Sequence, residues 1–269
     1  MSYSVSLPMY DFAELQAATQ AVLAAIVTEV RRLGGEAQVG EPDVSSHDAL
    51  LALWGGDEMY ISHSCGQPYI EVLQHSVDVL GTFLWRDVSD IHGNYRSVIV
   101  VRGNFPATQI SELGGAQPVV NNPESLSGWC SLGAALSEVT SDANFVLPYL
   151  VSGGHVGSLQ MLQDGIADVA AIDPATYQIL SRVRPALVRG LRVIGSGPLV
   201  PATPLIVSKT HKSQLADLRA AMHTVVADPQ LADEMAAIGI VGFVDLDGAE
   251  YEIVRDLIAL AETVLPRSG

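Results

Sequence analysis

Short strand signals alternate with helix signals along the whole chain of 269 residues. Apolar or β-branched runs such as Tyr3–Leu7, Val77–Leu84 and Ala167–Ile172 are separated by amphipathic stretches such as Leu15–Leu33. Strands that alternate with helices are typical of βαβ units, in which each helix packs on a sheet. The pattern therefore predicts an α/β fold with mainly parallel sheets flanked by helices.

Two stretches that carry Gly and Pro breakers interrupt this alternation, at residues 102–107 and 195–204. Such breakers mark loops, and we interpret these two as crossings of the chain between two lobes. Lobe 1 is then predicted to comprise residues 1–101 and 204–269, with both termini. Lobe 2 is predicted to be the inserted segment 102–203.

The chain is strongly acidic, with 14 Lys and Arg against 30 Asp and Glu and a formal net charge of −16. Nucleic acid and anionic lipid repel such a protein, so we expect neither as a partner. The apolar run Ala21–Val27 is too short to span a bilayer. Because the first cation is Arg31, no charged start of an export leader is visible. We therefore expect a cytoplasmic protein as written, and a periplasmic one only if a leader is missing.

Several kinds of chemistry lack their motifs in this sequence. The two cysteines, Cys65 and Cys130, are too few for a disulfide scaffold or a cysteine-rich metal site. No Walker A loop, dinucleotide fingerprint, Gly-x-Ser-x-Gly elbow or paired zinc-binding histidines are present. We expect neither a metal nor a cofactor.

The segment Asn121–Gly128 lies between a predicted strand and the predicted helix Leu126–Val139. The amides and the dipole at a helix N-terminus favour an anion. Ser125 and Ser127 add hydroxyl donors, and Gly128 allows a ligand to approach the backbone. The segment is thus a candidate anion site, although the same residues also suit an ordinary serine N-cap.

A second segment of this kind, Val151–Ser158, follows a strand predicted at Asn144–Leu150. It places His155 at a helix start, where the dipole disfavours a charged imidazole. A neutral His155 can donate a hydrogen bond to an oxyanion, although a histidine in a capping turn is the simpler alternative. We expect the two helix starts to converge around one negative group.

Asp173 and Tyr10 also follow predicted strands. The carboxyl ends of strands are where α/β proteins bind ligands. Asp173 precedes Pro174, so it is equally suited to be the N-cap of a helix. Tyr10 follows the first strand and is a candidate for contact with a ligand.

His63 and Ser64 follow the third predicted strand and complete the set of candidates. Cys65 lies two residues after His63, which is compatible with a cysteine nucleophile. No third group that would orient such a pair is evident, so we do not expect a cysteine hydrolase.

The motifs Asn122–Gly128, Ser152–His155 and Gly165–Asp173 resemble, in order and spacing, the substrate-binding proteins of phosphonate/phosphite-type ABC importers. A tyrosine after the first strand and a Cys-Gly-x-Pro turn after the third add to this resemblance, which extends from Tyr3 to about Val264. It implies the type II periplasmic-binding-protein fold, in which two α/β lobes are joined by two crossover segments and the ligand cleft lies between the lobes.

The resemblance also implies a function and a set of site residues. The chain is expected to be a non-catalytic solute-binding protein for a small phosphonate, phosphate ester or similar oxyanion, which closes by hinge motion and has an ABC permease as a possible partner. Asp173 falls near the acid that meets the ligand's amine in aminophosphonate binders, and Leu126 stands where the family usually has Thr. The predicted ligand-binding residues are Tyr10, His63, Ser64, Ser125, Leu126, Ser127, Gly128, His155 and Asp173.

Two other functions stay open at this point. One is an enzyme on the same fold, similar to thiamine-pyrimidine synthases, but that family depends on a cysteine-rich motif and a lysine. Because Lys209 and Lys212 are the only lysines here, we expect no enzyme. The other is a binder of a quaternary amine or another cation, held by an aromatic cage. The residues proposed for that cage are Tyr10, Trp54, Tyr60, Trp129 and Asp173.

Overall fold

The computed structural model describes residues 3–138 and 148–267. Within them the chain forms two compact units. Unit 1 comprises 3–94 and 201–251, and unit 2 comprises the described part of 95–200 together with 252–267. In the described ranges, no helix combines the length and the apolar character needed to cross a membrane.

The elements alternate as predicted. The strands are β1 (Tyr3–Ser6), β2 (Ala37–Val39), β3 (Met59–His63), β4 (Val77–Trp85), β5 (Asn94–Tyr95), β6 (Val98–Val101), β7 (Val119–Val120), β8 (Leu150–Val151), β9 (Val169–Ile172), β10 (Arg192–Ser196), β11 (Val200–Pro201), β12 (Leu205–Ser208) and β13 (Ile240–Val244). The helices are α1 (Gln16–Arg32), α2 (His47–Gly55), α3 (Gly66–Glu71), α4 (Ser131–Ser137), α5 (His155–Gln163), α6 (Pro174–Val183), α7 (Pro185–Val188), α8 (Leu215–Ala227), α9 (Ala232–Ile238) and α10 (Ile253–Val264).

Unit 1 contains a six-stranded sheet with the order β13-β4-β12-β3-β1-β2. β1 pairs in parallel with β2 and β3, whereas β12 is antiparallel to β3 and β4, and β13 is antiparallel to β4. The first four strands therefore share one direction. The prediction of a mainly parallel sheet is correct for these four strands. The whole sheet is mixed, because β12 and β13, which come after the segment of unit 2 in the sequence, run in the opposite direction.

The core of unit 1 includes one stripe of α1. Val22, Ile26 and Val30 are fully buried and follow one another at four-residue spacing, which puts them on one helix face. Asp11 and Glu14 have the spacing of a capping box, which predicts Asp11 as the N-cap of this helix, but the prediction is wrong. A 3-10 turn at Ala13–Leu15 precedes α1, and neither this turn nor α1 has a side-chain cap, because the chain leaves β1 through a further 3-10 turn before the helix begins.

Unit 2 contains a three-stranded sheet of order β10-β6-β9 and the parallel pair β7 and β8. β6 is antiparallel to both of its neighbours. A parallel bridge joins Pro118, next to β7, to Val169 at the start of β9. β7, β8, β9 and β10 thus share one direction and β6 opposes it. Of the strand predicted at Asn144–Leu150, residues 144–147 lie outside the described residues, as does residue 139 of the helix predicted at Leu126–Val139.

The boundaries of the units differ from the predicted lobes. The chain crosses at 94/95 and 200/201, where β5 and β11 form a two-stranded sheet, rather than at 101/102 and 203/204. A larger difference is that 252–267 belong to unit 2. α10 packs on α4 through Gly133 and Ala261, and Trp129 Nε1 donates to the carbonyl of Leu265 at 2.7 Å. These contacts attach the C-terminal helix to the inserted unit.

Candidate functional site

Two parallel strands of unit 2 bring the two predicted helix starts together. β7 and β8 are neighbours, and Val120 is in register with Val151. Because parallel strands have their carboxyl ends at the same edge, the segments that begin at Asn121 and Ser152 leave the sheet side by side. Ser127 Oγ lies 2.9 Å from His155 Nε2. This contact confirms that the two segments converge.

The first of these helices begins with a π-helical turn at Leu126–Cys130, which continues into α4. Ser125 is its N-cap, since Ser125 Oγ accepts from Gly128 N at 3.1 Å and Ser125 O accepts from Cys130 N at 3.0 Å. In a π turn an N–H bonds to the carbonyl five residues earlier, so one more amide than usual lacks an acceptor inside the helix. Ser125 has therefore taken the capping role.

Position 128 has to be a glycine because the backbone there lies very close to the side chain of Asn121. A Cβ at position 128 would lie 1.7 Å from Asn121 Oδ1 and 3.2 Å from Ser125 Oγ. Leu126, beside it, is buried. The glycine therefore makes room for a side chain of the same segment, which differs from our expectation that it makes room for a ligand.

His155 begins the second helix and is neutral, as predicted. Burial lowers the pKa of His155 to about 4. Desolvation, and not the helix dipole invoked in the sequence analysis, is therefore the reason that the imidazole is uncharged. Its Nδ1 is buried and has no hydrogen-bond partner among the described residues. Ser152 Oγ and Ser158 Oγ, 2.7 Å apart, fix the preceding turn.

Asp173 lies at the same edge, after β9. The bridge from Pro118 to Val169 makes β9 a parallel neighbour of the β7 segment. Asp173 is buried, and its Oδ1 accepts from Thr176 N at 2.7 Å as the N-cap of α6. Asp173 is therefore the helix N-cap that its position before Pro174 predicts. Its contact with a ligand's amine stays a prediction.

The other three predicted residues come together in unit 1. β1 and β3 are parallel neighbours, so Tyr10 after β1 and His63 at the end of β3 lie at one edge of the sheet. Their rings meet edge to face at 5.5 Å, and Tyr10 Oη lies 3.1 Å from Thr203 Oγ1. Ser64 is fully buried and its N–H donates to Pro204 O at 2.9 Å.

His63 is buried on all sides. Burial lowers the pKa of His63 to about 3, so the imidazole is neutral at physiological pH. Trp85, the last residue of β4, packs against Tyr10 with ring centroids 4.3 Å apart. We did not single out Trp85 from the sequence, although its position directly after the run predicted at Val77–Leu84 was a signal of the same kind as that of Tyr10.

The aromatic cage for a cation is not formed by the residues proposed for it. Trp54, Tyr60 and Trp129 are fully buried in the cores. Trp54 Nε1 donates to the carbonyl of His63, and Tyr60 Oη to Gln214 Oε1. These rings belong to the packing of their own units because each polar tip is occupied by a protein group.

Metal and disulfide chemistry find no support in this part of the chain. Over residues 3–138 and 148–267, no group of three or more His, Cys, Asp or Glu side chains is arranged to hold a metal ion. Cys65 and Cys130 are buried and neither forms a disulfide.

Both α/β units carry polar side chains at the carboxyl ends of strands, which is where open α/β sheets bind ligands. The family model described as "ABC transporter, phosphonate, periplasmic substrate-binding protein" matches residues 5–251. The chain belongs to this family. A comparison with curated protein sequences finds no match.

Solved structures show the same fold. PhnD1 from Prochlorococcus marinus, in complex with methylphosphonate, is 12% identical with a TM-score of 0.77, over 98% of this chain and 99% of that one. A binding protein component of an ABC phosphonate transporter from Pseudomonas aeruginosa is 14% identical with a TM-score of 0.74, over 97% and 86%. XAC2383 from Xanthomonas citri, bound to ATP, is 16% identical with a TM-score of 0.70, over 97% of both chains. These likenesses confirm the predicted type II periplasmic-binding-protein fold.

Proposed function

We propose that this solute-binding protein binds a small phosphonate or phosphate ester, without turning it over, at the convergent helix starts of unit 2. The observation that carries the proposal is the 2.9 Å contact between Ser127 Oγ and His155 Nε2. The contact joins a hydroxyl and a neutral imidazole at the starts of two helices. Such preorganised donors favour a compact negative group.

The side-chain donors of the proposed site, Ser127 and His155, are uncharged, which is consistent with a chain that has few basic residues. Ser127 is buried, and the imidazole of His155 is uncharged because burial lowers its pKa. A partly desolvated oxyanion gains more from fixed donors than it would in water. Exposed acidic groups farther than roughly 8–10 Å are screened at physiological ionic strength, so the net charge slows encounter without forbidding binding.

The ligand classes follow from the donor set and from the fold relatives. The relatives hold methylphosphonate in one case and ATP, a phosphate ester, in another. Both ligands present a tetrahedral phosphorus with several oxygens, which is the shape that converging amides and hydroxyls recognise. Leu126 supplies no hydroxyl, so fewer side-chain donors surround the oxygens than the family pattern would provide.

Catalysis is not part of this proposal. The family's role is to bind a solute for an importer, and a permease partner is the corresponding expectation. Cys65 and His63 are buried, and neither ring nitrogen of His63 has a hydrogen-bond partner among the described residues, so His63 is not held in place as the base of a nucleophile. The contributions of Tyr10, His63 and Ser64 to ligand binding, the amine contact of Asp173 and hinge closure stay predictions.

Calorimetric titration with four ligands tests the proposal. Methylphosphonate and 2-aminoethylphosphonate are expected to bind, inorganic phosphate to bind more weakly, and choline not to bind. Mass spectrometry of the recovered phosphonate is expected to show it unchanged. Binding of choline alone, or conversion of the phosphonate, would overturn the proposal.

A further inference from the structure

The stretch of chain that forms the proposed oxyanion site has no lysine or arginine. Between Arg102 and Arg182 the sequence contains neither residue type. Both helix starts and Asp173 lie in this stretch. The side-chain donors of the site are Ser127 and His155, and the imidazole is uncharged because burial lowers the pKa of His155 to about 4. This stretch therefore offers a bound anion hydrogen-bond donors but no positive side chain.

The arginines that flank this stretch lie at the other end of the elements that carry them. Arg102 pairs with Asp168, which comes just before β9, whereas Asp173 comes just after that strand. Arg182 lies in the last turn of α6, which is about 13 Å along the helix axis from Asp173. Neither arginine therefore belongs to the strand ends at which the two helix starts meet.

Arg267 is the arginine that contacts the first helix turn. Its guanidinium carbon lies 4.8 Å from the ring centre of Trp129. Its Nε also pairs with Glu262 Oε1 at 2.6 Å, so a negative charge accompanies the positive one. Because Trp129 Nε1 donates to the carbonyl of Leu265, this contact lies on the side of the helix that faces α10. The pair adds little net charge at the site.

A buried carboxylate lies at the same strand ends. The bridge between Pro118 and Val169 sets the register of β7 and β9, and counted from this bridge Asp173 stands opposite Asn122. Neighbouring strands are about 4.8 Å apart. Asp173 is 3% exposed, and its Oδ1 accepts from Thr176 N at 2.7 Å. The carboxylate therefore lies beside the first helix start, within the same unit.

These charges bear differently on the first and the second negative charge of a ligand. Fixed neutral donors stabilise the first charge of an oxyanion by charge-assisted hydrogen bonds. A second charge is repelled by Asp173 and by Glu124, which lies within the first segment. Two like charges a few ångströms apart near a protein surface change an affinity by about tenfold or more. Exposed acids farther than roughly 8–10 Å are screened, so the repulsion comes from the acids at the site.

We propose that the site in unit 2 selects oxyanions that carry a single negative charge, and that the carboxylate of Asp173 repels a second one. The proposal rests on the phosphonate-binding function and narrows its substrate class. Phosphonate monoesters, phosphinates and phosphonates that keep one proton belong to this class. Fully ionised phosphonates and phosphate monoesters do not.

The test compares methylphosphonate with its monomethyl ester by calorimetry. The ester has one ionisable oxygen and stays singly charged, whereas methylphosphonate loses a second proton at a pH that phosphorus NMR of the free ligand locates. The affinity for methylphosphonate is expected to fall about tenfold from one pH unit below this point to one unit above it, because only about a tenth of the ligand then keeps the proton. The affinity for the ester is expected to stay within about twofold over the same range.

Asp173→Asn tests the role of the carboxylate, since asparagine keeps an oxygen for Thr176 N and removes the charge. In this variant the fall is expected to shrink to about threefold or less. Asp164→Asn is the matched control, because Asp164 follows the far end of α5, about 13 Å from His155, and the full fall is expected to remain.

Three results overturn the proposal. The first is an affinity of the wild type for methylphosphonate that is equal on both sides of the ligand's second ionisation. The second is an ester that shares the fall or does not bind while methylphosphonate binds. The third is an undiminished fall in Asp173→Asn. If neither ligand binds at either pH, the proposed function fails first.

Discussion

Ser127 Oγ and His155 Nε2 lie 2.9 Å apart, and this contact joins the starts of two helices that follow adjacent parallel strands. Because the imidazole is neutral, one of the two partners donates and the other accepts. If Nε2 carries the proton and donates to Ser127 Oγ, the serine hydrogen remains available to an oxygen of the ligand. The pair is then a relay of hydrogen bonds that is complete only when an oxyanion is bound.

Replacing Ser127 tests the role of this pair. Ser127→Ala removes the hydroxyl that is proposed to donate to the oxyanion, and a hydrogen bond to a charged group is worth about 1.5–3 kcal/mol. We expect the affinity for methylphosphonate to fall at least about tenfold in calorimetry. His155→Ala is expected to have a similar effect, and the double variant to lose less than the sum, because the two residues are in contact.

Ser181→Ala is the control for that series. Ser181 Oγ donates to Tyr177 O at 2.7 Å within α6 of the same unit. Its removal is expected to leave the affinity for methylphosphonate unchanged. An unchanged affinity in Ser127→Ala would instead remove Ser127 from the site.

Gly128→Ala is expected to disturb the first helix start. The new Cβ would lie 1.7 Å from Asn121 Oδ1, so Asn121 or the π turn has to move. We expect a lower melting temperature and weaker methylphosphonate binding, and partial recovery of both when Asn121→Ala is added. Gly114→Ala, where a Cβ has nothing within 4 Å, is the control. If Gly128→Ala has the melting temperature and the methylphosphonate affinity of the wild type, the close approach of Gly128 to Asn121 affects neither stability nor binding.

His63 predicts a pH dependence of stability. Its pKa is about 3 in the folded protein and about 6.5 when unfolded. Between these values the unfolded chain binds a proton that the folded one does not, so the free energy of unfolding falls as the pH falls below about 6.5. From pH 7 to pH 5 this single group accounts for about 2 kcal/mol. Urea unfolding of wild type and His63→Phe measures it, and equal pH slopes in the two proteins would contradict the buried neutral imidazole.

The attachment of α10 to unit 2 predicts the effect of Gly133→Ala. A Cβ there would lie 2.5 Å from Ala261 Cβ, which forces α4 and α10 apart. Overpacking of this kind costs about 1–3 kcal/mol, measurable by urea unfolding. Leu260→Ala is the matched control on α10, since Leu260 is 44% exposed and its removal is expected to change stability by less than about 0.5 kcal/mol. Equal stability of Gly133→Ala and the wild type would show that the two helices are not tightly packed.

Where the candidate residues lie within each unit was largely predictable, because their positions follow from local rules. Tyr10 and His63 in unit 1, and Ser127 and Asp173 in unit 2, come after or close to predicted strands, and parallel strands gather such residues at one edge of the sheet in each unit. The neutral state of His155 was also predictable, although burial rather than the helix dipole causes it.

What the sequence did not reveal depends on contacts between distant segments. Trp85 lies beside His63 because β12, from the far end of the chain, inserts between β3 and β4. α10 joins unit 2 because a glycine of α4 accepts Ala261 against its backbone. None of these arrangements follows from a local sequence pattern.

A crystal structure of the protein with methylphosphonate measures the central claim most directly. The phosphonate oxygens are expected within hydrogen-bond distance of Ser127 Oγ and of the first-turn amides that follow Ser125. Phosphonate density elsewhere in the protein, with the Ser127 and His155 pair untouched, would contradict the proposed oxyanion site.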